Sequence, residues 1–134
     1  FLHSSNAAVE RLGLPSGLMH LTFGYIFDDT DASGHRLDMK KLALPCSLQS
    51  LAFGPFGGEG IYHVTLPSGL RELVLGDSFD RSISGIALPS SLQSLTFGRQ
   101  FNQPLDHVEF PSGLQSLTLG DAFDQSIQNV FLPR

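Results

Sequence analysis

A mainly β solenoid of parallel rungs, about five and a half units of 22 residues with little helix, is the fold class the sequence predicts. Prolines at 15, 45, 67, 89, 111 and 133 are separated by one interval of 30 residues and four of 22. An apolar register returns after each proline: Leu70, Leu73, Leu75, Gly76, Phe79, Ile83, Ile86 and Leu88 in one unit, and Leu92, Leu95, Phe97, Gly98, Phe101, Leu105, Val108 and Phe110 in the next. A unit this short has no room for a long helix beside extended segments and their turns.

The elements follow in chain order. Residues 1–14 make a half-rung closed by Val9, Leu12 and Leu14, residues 15–44 a rung with an inserted loop, and residues 45–134 regular rungs and a terminal tail; all belong to one domain over 1–134. In each unit the spacing apolar-x-x-apolar-x-apolar occurs twice, as Leu70, Leu73, Leu75 and again as Ile83, Ile86, Leu88. The last two members lie two apart, so they share one face of an extended segment. The Thr, Val and Phe of the first triplets, as in Leu95-Thr96-Phe97, favour strand. Two extended segments per unit are therefore expected. Glycine follows the first of them at 24, 54, 76, 98 and 120, which calls for a turn with positive φ or a close approach of neighbouring backbones. Proline stops the second at its corner. One unit cannot bury its own Leu and Phe residues, so stacked neighbours must cover them.

Composition narrows the function. The 134 residues are 41% hydrophobic and 16% charged, which suits a folded chain rather than a disordered one. A net charge of −5 repels phosphate backbones and argues against a nucleic-acid partner. Cys46, the single cysteine, excludes an internal disulfide and any multi-Cys zinc site. No apolar run approaches the ~18 residues of a transmembrane segment. Phe rather than Met stands first, so a processed chain or a piece of a longer one is expected.

At Phe101-Asn102-Gln103-Pro104-Leu105, flanked by Leu88-Pro89-Ser90-Ser91-Leu92 and Leu95-Thr96-Phe97-Gly98, the sequence resembles the FNIP repeat, a ~22-residue relative of the leucine-rich repeats. The resemblance runs from residue 14 to 133; Phe79-Asp80-Arg81-Ser82-Ile83 and Phe123-Asp124-Gln125-Ser126-Ile127 are variants of the motif, and the unit after Pro45 loses it. It implies a leucine-rich-repeat-like parallel solenoid with a sheet on one face, and a binding or scaffold role. Repeats of this family often follow an F-box; no segment here is patterned as one, so a ubiquitin-adaptor role is not carried over.

Broken periodicity in a repeat protein marks a surface loop, often on the binding face. The first unit carries eight extra residues between Phe27 and Met39, and Asp28, Asp29, Asp31, His35 and Arg36 are candidate partner-binding residues there. Asp29, Asp31, Ser33 and Gly34 open like a calcium loop, but Lys40 stands at the twelfth position, where a bidentate Glu is required. The stretch therefore reads as an acidic, solvated loop whose Asp side chains bond their own turn. In the second unit Gly57 replaces the phenylalanine found at 79, 101 and 123, and Phe56 is expected to refill the slot. Gly57, Gly58 and Glu59 form a tight loop that fits neither phosphate-binding glycine pattern, and Glu59 would repel phosphate. The two irregular loops should lie side by side.

The outward residues of the first strands form ladders: His20, Ser50, Glu72, Ser94, Ser116 and Thr22, Ala52, Val74, Thr96, Thr118. A flat hydroxyl array would suggest ice binding, but Ala52, Glu72 and Val74 interrupt it. A mixed face that binds a protein is the ordinary reading, with Arg71, Glu72, Gln93, Ser94, Thr96, Gln115, Ser116 and Thr118 as its candidate contacts. His63 and His107 share a register two rungs apart, too far to share a metal, so no metal and no cofactor is expected. Asp80, Asn102 and Asp124 stack in one column, which bonding to turn N–H groups explains better than acid–base work. Without a nucleophile motif or supported carboxylate pair, the expectation is a non-enzymatic protein–protein interaction module. The alternative is a small structural or scaffold subunit built into a larger assembly, such as one peripheral on an organelle membrane complex. An uncapped solenoid exposes open apolar ends, so another subunit or further chain is expected to cover them.

Overall fold

The computed structural model describes residues 14–23, 43–54, 59–62 and 65–133. Among them are five strands of three residues each: β1 (His20–Thr22), β2 (Ser50–Ala52), β3 (Glu72–Val74), β4 (Ser94–Thr96) and β5 (Ser116–Thr118). A 3-10 turn spans Glu59–Tyr62. The strands form one sheet in chain order, and every neighbouring pair is parallel. Leu21, Leu51, Leu73, Leu95 and Leu117 stand opposite one another across the whole sheet. β1 and β2 are 30 residues apart yet pair in the same register as strands 22 apart. The longer interval in the first unit therefore does not shift the register of the ladder.

Proline does more than stop a segment. Its carbonyl accepts the N–H three residues on, from Leu18, Leu48, Leu70, Leu92 and Leu114, at 3.1–3.2 Å. Each proline thus opens a four-residue turn that delivers the first leucine of the triplet into the core.

The second extended segment is a correction: among the described residues the second triplets form no strand. Ile86 donates its N–H to the Ile83 carbonyl, Val108 to Leu105 and Val130 to Ile127, at 3.0–3.2 Å. These are turns, and the spacing explains why. Two apolar residues three apart point to opposite faces of a strand but to the same side of a turn. Ile83 and Ile86 reach the core together only if the chain bends between them.

The glycines after the strands separate into the alternatives left open above. A Cβ on Gly98 would lie 2.4 Å from the Gly76 carbonyl oxygen, and one on Gly120 would lie 2.0 Å from the Gly98 carbonyl oxygen. Neither residue has a left-handed φ. Close backbone approach between rungs, not a special turn, is what requires glycine at these two positions.

The core is a set of columns running along the stack. Leu48, Leu51, Leu70, Leu73, Leu92 and Leu95 are fully buried. Phe79, Phe101 and Phe123 stack at 6.3 and 6.1 Å with planes 6° and 5° apart, and Phe97 lies 3.9 Å from Phe101. Offset stacking of this kind adds roughly 0.5–1.5 kcal/mol per pair to the burial itself. Burial fades in the last rung: Ile83 is 2% exposed and Leu105 1%, but Ile127, in the same column, is 56% exposed.

Tyr62 meets Phe79 at 6.2 Å with planes 31° apart, and its hydroxyl donates to the Ser82 carbonyl. An aromatic ring therefore continues the column toward the unit that lacks its phenylalanine, and it comes from the turn at Glu59–Tyr62. Phe56, the residue expected to do this, lies outside the described residues.

Candidate interaction face

Strand alternation turns Leu95 inward and Ser94 and Thr96 outward, and the register extends that choice to every rung. Ser50, Glu72, Ser94 and Ser116 make one row; Ala52, Val74, Thr96 and Thr118 make the other. Arg71, Gln93 and Gln115 stand exposed at the entry of their strands. There the backbone bonds rung to rung. The Gln49 carbonyl accepts both the Arg71 and Glu72 N–H groups, that of Arg71 accepts Gln93 and Ser94, and that of Gln93 accepts Gln115 and Ser116, at 2.8–3.0 Å. With their main chain tied up, these rungs offer a partner side chains alone, spaced ~4.8 Å apart.

The structure thus brings Glu72, Ser94, Thr96, Ser116 and Thr118 to one side of the sheet, with Arg71, Gln93 and Gln115 exposed where their strands begin. Ser94 and Thr96 are half-buried between flanking rungs, whereas Ser116 and Thr118 on the edge strand are exposed. Asp28, Asp29, Asp31, His35, Arg36, Gly57 and Gly58 lie outside the described residues, as does the expected pairing of the two irregular loops. Of Glu59 only the backbone is described, at the start of the 3-10 turn.

The turn side is committed to holding the stack. The Asp80 carboxylate accepts the Asn102 backbone N–H at 2.8 Å and the Gln103 Nε2 at 3.0 Å. One rung on, Asn102 Oδ1 accepts the Asp124 N–H at 2.8 Å and the Gln125 Nε2 at 3.0 Å. The N–H groups bonded are those of the next rung, so this column stitches rungs rather than closing its own turn. Placing neutral Asn102 between the two aspartates keeps their charges about two rung spacings apart, roughly 10 Å, where salt screens them. The Gln partners were not singled out in the sequence, although Gln follows Asn102 and precedes Ser126 in register. Arg99 and Asp121 pair at 3.9 Å with side chains 76% and 90% exposed, which contributes little.

A shallow groove of about 220 Å³ opens where Gly85 and Ala87 carry little side chain, between Tyr62, Leu66 and Ile86. Apart from the Tyr62 and Thr65 hydroxyls its lining offers no polar side chain. No group of three His, Cys, Asp or Glu that could hold a metal ion occurs among the described residues. No helix among them is long and apolar enough to cross a membrane.

Against known proteins, the family model described as FNIP Repeat matches residues 61–100 and 101–134, more than half of the chain. The crystal structure of CroV588, described as a novel circular LRR protein structure, is similar with a TM-score of 0.67 and 32% identity over 90% of this chain. The chain spans 20% of that protein's length. No curated protein matches the sequence.

Proposed function

The chain belongs to the FNIP repeat family, and on that premise we propose that it is a non-enzymatic protein-interaction module whose strand face contacts a protein partner. Repeats of this fold are typically non-catalytic, and their working surfaces are extended faces built by repetition. The observation that carries the reading is the in-register face of Ser94, Thr96, Ser116 and Thr118, with Arg71, Glu72, Gln93 and Gln115 at its margin. Small hydroxyls over a regular sheet make a flat surface, and the Gln, Arg and Glu side chains around it supply directional bonds. The insertion bearing Asp28, Asp29, Asp31, His35 and Arg36 and the loop at Gly57, Gly58 and Glu59 are proposed to extend this surface.

A photo-crosslinking residue placed at Ser94 or Thr118, with Asp106 on the turn side as control, tests the reading in a native extract. A discrete protein adduct from Ser94 and Thr118 but not from Asp106 is expected. Adducts concentrated at Asp106 would overturn the assignment of the face.

A second reading, a structural subunit built into a larger assembly, is favoured by one observation. Ile127, Phe131 and Leu132 in the last rung are 56%, 86% and 49% exposed. Light scattering separates the two: a monodisperse monomer supports the module, and aggregation of the isolated chain supports the subunit.

A further inference from the structure

The two sides of a rung treat the main chain differently. On the strand side it bonds from rung to rung. Beyond the turn it does not: among the described residues the N–H and carbonyl groups of Gly85 and Ala87 take part in no hydrogen bond. Both residues are exposed, and both line the groove that Tyr62, Thr65 and Leu66 of the preceding rung border. One rung on, the same register carries His107 in place of Gly85 and Glu109 in place of Ala87.

Nothing in the fold requires glycine at 85. Its φ is not left-handed, and a Cβ there would meet no atom within 4 Å. What the missing side chain provides is room. The groove holds about 220 Å³, below the ~300–1,000 Å³ of small-molecule sites, so it suits one or two side chains of a longer ligand. The charge around it has one sign. Outside the strands and their entries, Asp77, Asp80, Asp106, Glu109, Asp121 and Asp124 outnumber Arg81 and Arg99 among the described residues, which draws a cationic segment to this side. Glu109 is exposed, stands one rung beyond Ala87 in the same register, and has no hydrogen bond or ion pair among the described residues.

We propose that this groove docks an extended, basic segment of a partner protein, with an apolar side chain over Gly85 and a Lys or Arg against Glu109. An extended segment answers each feature: its main chain bonds the unpaired groups of Gly85 and Ala87, its apolar side chain fills the groove, and its cation meets the carboxylate. A helix bonds its own main chain and would leave those groups of the groove unpaired. Ser84 is not part of the lining, so Asp106, in the register of Ser84, lies beyond the segment. The inference does not rest on the strand-face reading, since no residue of that face takes part.

The test selects random phage-displayed peptides on the full chain and titrates the enriched sequences, made with a fluorescent label, by polarisation. Enriched peptides should pair an apolar residue with a nearby Lys or Arg. Gly85→Trp and Ala87→Tyr, which fill the groove from two positions, should each weaken binding by about tenfold or more. Glu109→Gln should weaken it a few-fold, a difference that raised salt abolishes. Ser116→Trp on the strand face should leave binding unchanged, and all four variants should melt within about 2 °C of the parent. Failure to enrich any peptide, binding that survives both Gly85→Trp and Ala87→Tyr, or equal binding when the peptide's Lys or Arg is replaced by Glu would overturn the proposal. So would a loss confined to Ser116→Trp, which would put the peptide on the strand face instead.

Discussion

Replacing Gly98 by alanine adds one methyl group at the point of closest approach between two rungs. That Cβ would sit 2.4 Å from the Gly76 oxygen, 2.5 Å from the Asp77 Cα and 2.6 Å from the Gly76 carbonyl carbon. All three are backbone atoms, which cannot rotate away as a side chain would. Reaching ordinary contact requires the rungs to part locally by about 1 Å. The bonds that cross this seam are the Gln100 N–H to the Asp77 carbonyl at 3.0 Å, the Leu75 N–H to the Thr96 carbonyl at 2.9 Å and the Arg99 N–H to Asp77 Oδ1 at 3.2 Å. Each would be stretched toward or past the limit of a useful hydrogen bond. Overpacking costs about 1–3 kcal/mol and each weakened bond up to ~1 kcal/mol, so a loss of about 2–4 kcal/mol is expected. For a chain of this size that is a fall in Tm of roughly 10 °C, read by far-UV circular dichroism. Gly85→Ala is the control: nothing lies within 4 Å of its Cβ, so its Tm should stay within about 2 °C of the parent. If Gly98→Ala melts with Gly85→Ala, steric closeness is not why glycine stands after the strand.

Phe101→Ala should cost about 3–5 kcal/mol in denaturant titration, because the ring is fully buried between Phe79, Phe97 and Phe123. Asp80→Ala should cost about 1–2 kcal/mol by leaving the Asn102 N–H and the Gln103 amide without their acceptor, while Asp80→Asn should unfold with the parent. Deleting residues 29–36 should leave the circular dichroism spectrum and Tm close to those of the parent, since β1 and β2 pair without them; collapse of the fold would show the loop to be part of the core.

The sheet was legible because its signal is carried by positions that every rung repeats. A fixed interval of 22 residues, inward Leu at 51, 73, 95 and 117 and the alternation around them set parallel pairing and register together. The second segment was misread because Ile86 and Leu88 share strand spacing, whereas the more informative pair, Ile83 and Ile86, is three apart and bonded as a turn. Tyr62 was missed because it lies one place past the register position of Ile61. Yet Ser84, Asp106 and Gln128 hold the same place in the other units, so an aromatic there was itself a signal. The strand-face candidates could be located but not ranked. Their outward direction follows from alternation, whereas affinity depends on a partner's shape, which a repeat pattern does not encode.

The division of labour within a rung explains why such a scaffold can change what it binds without changing how it folds. Stacking consumes the main chain on the strand side, and on the turn side it also consumes the polar side chains of Asp80, Asn102, Gln103 and Gln125. The outward strand positions are exempt: Glu72 shares one row with Ser94 and Ser116, and Val74 shares the next with Thr96 and Thr118. A carboxylate, a hydroxyl and an isopropyl group are all tolerated there, whereas each inward place of the described rungs takes an apolar Leu, Ile, Val or Phe. Variation is therefore cheapest where a partner would touch, and costliest one residue away in either direction along the strand.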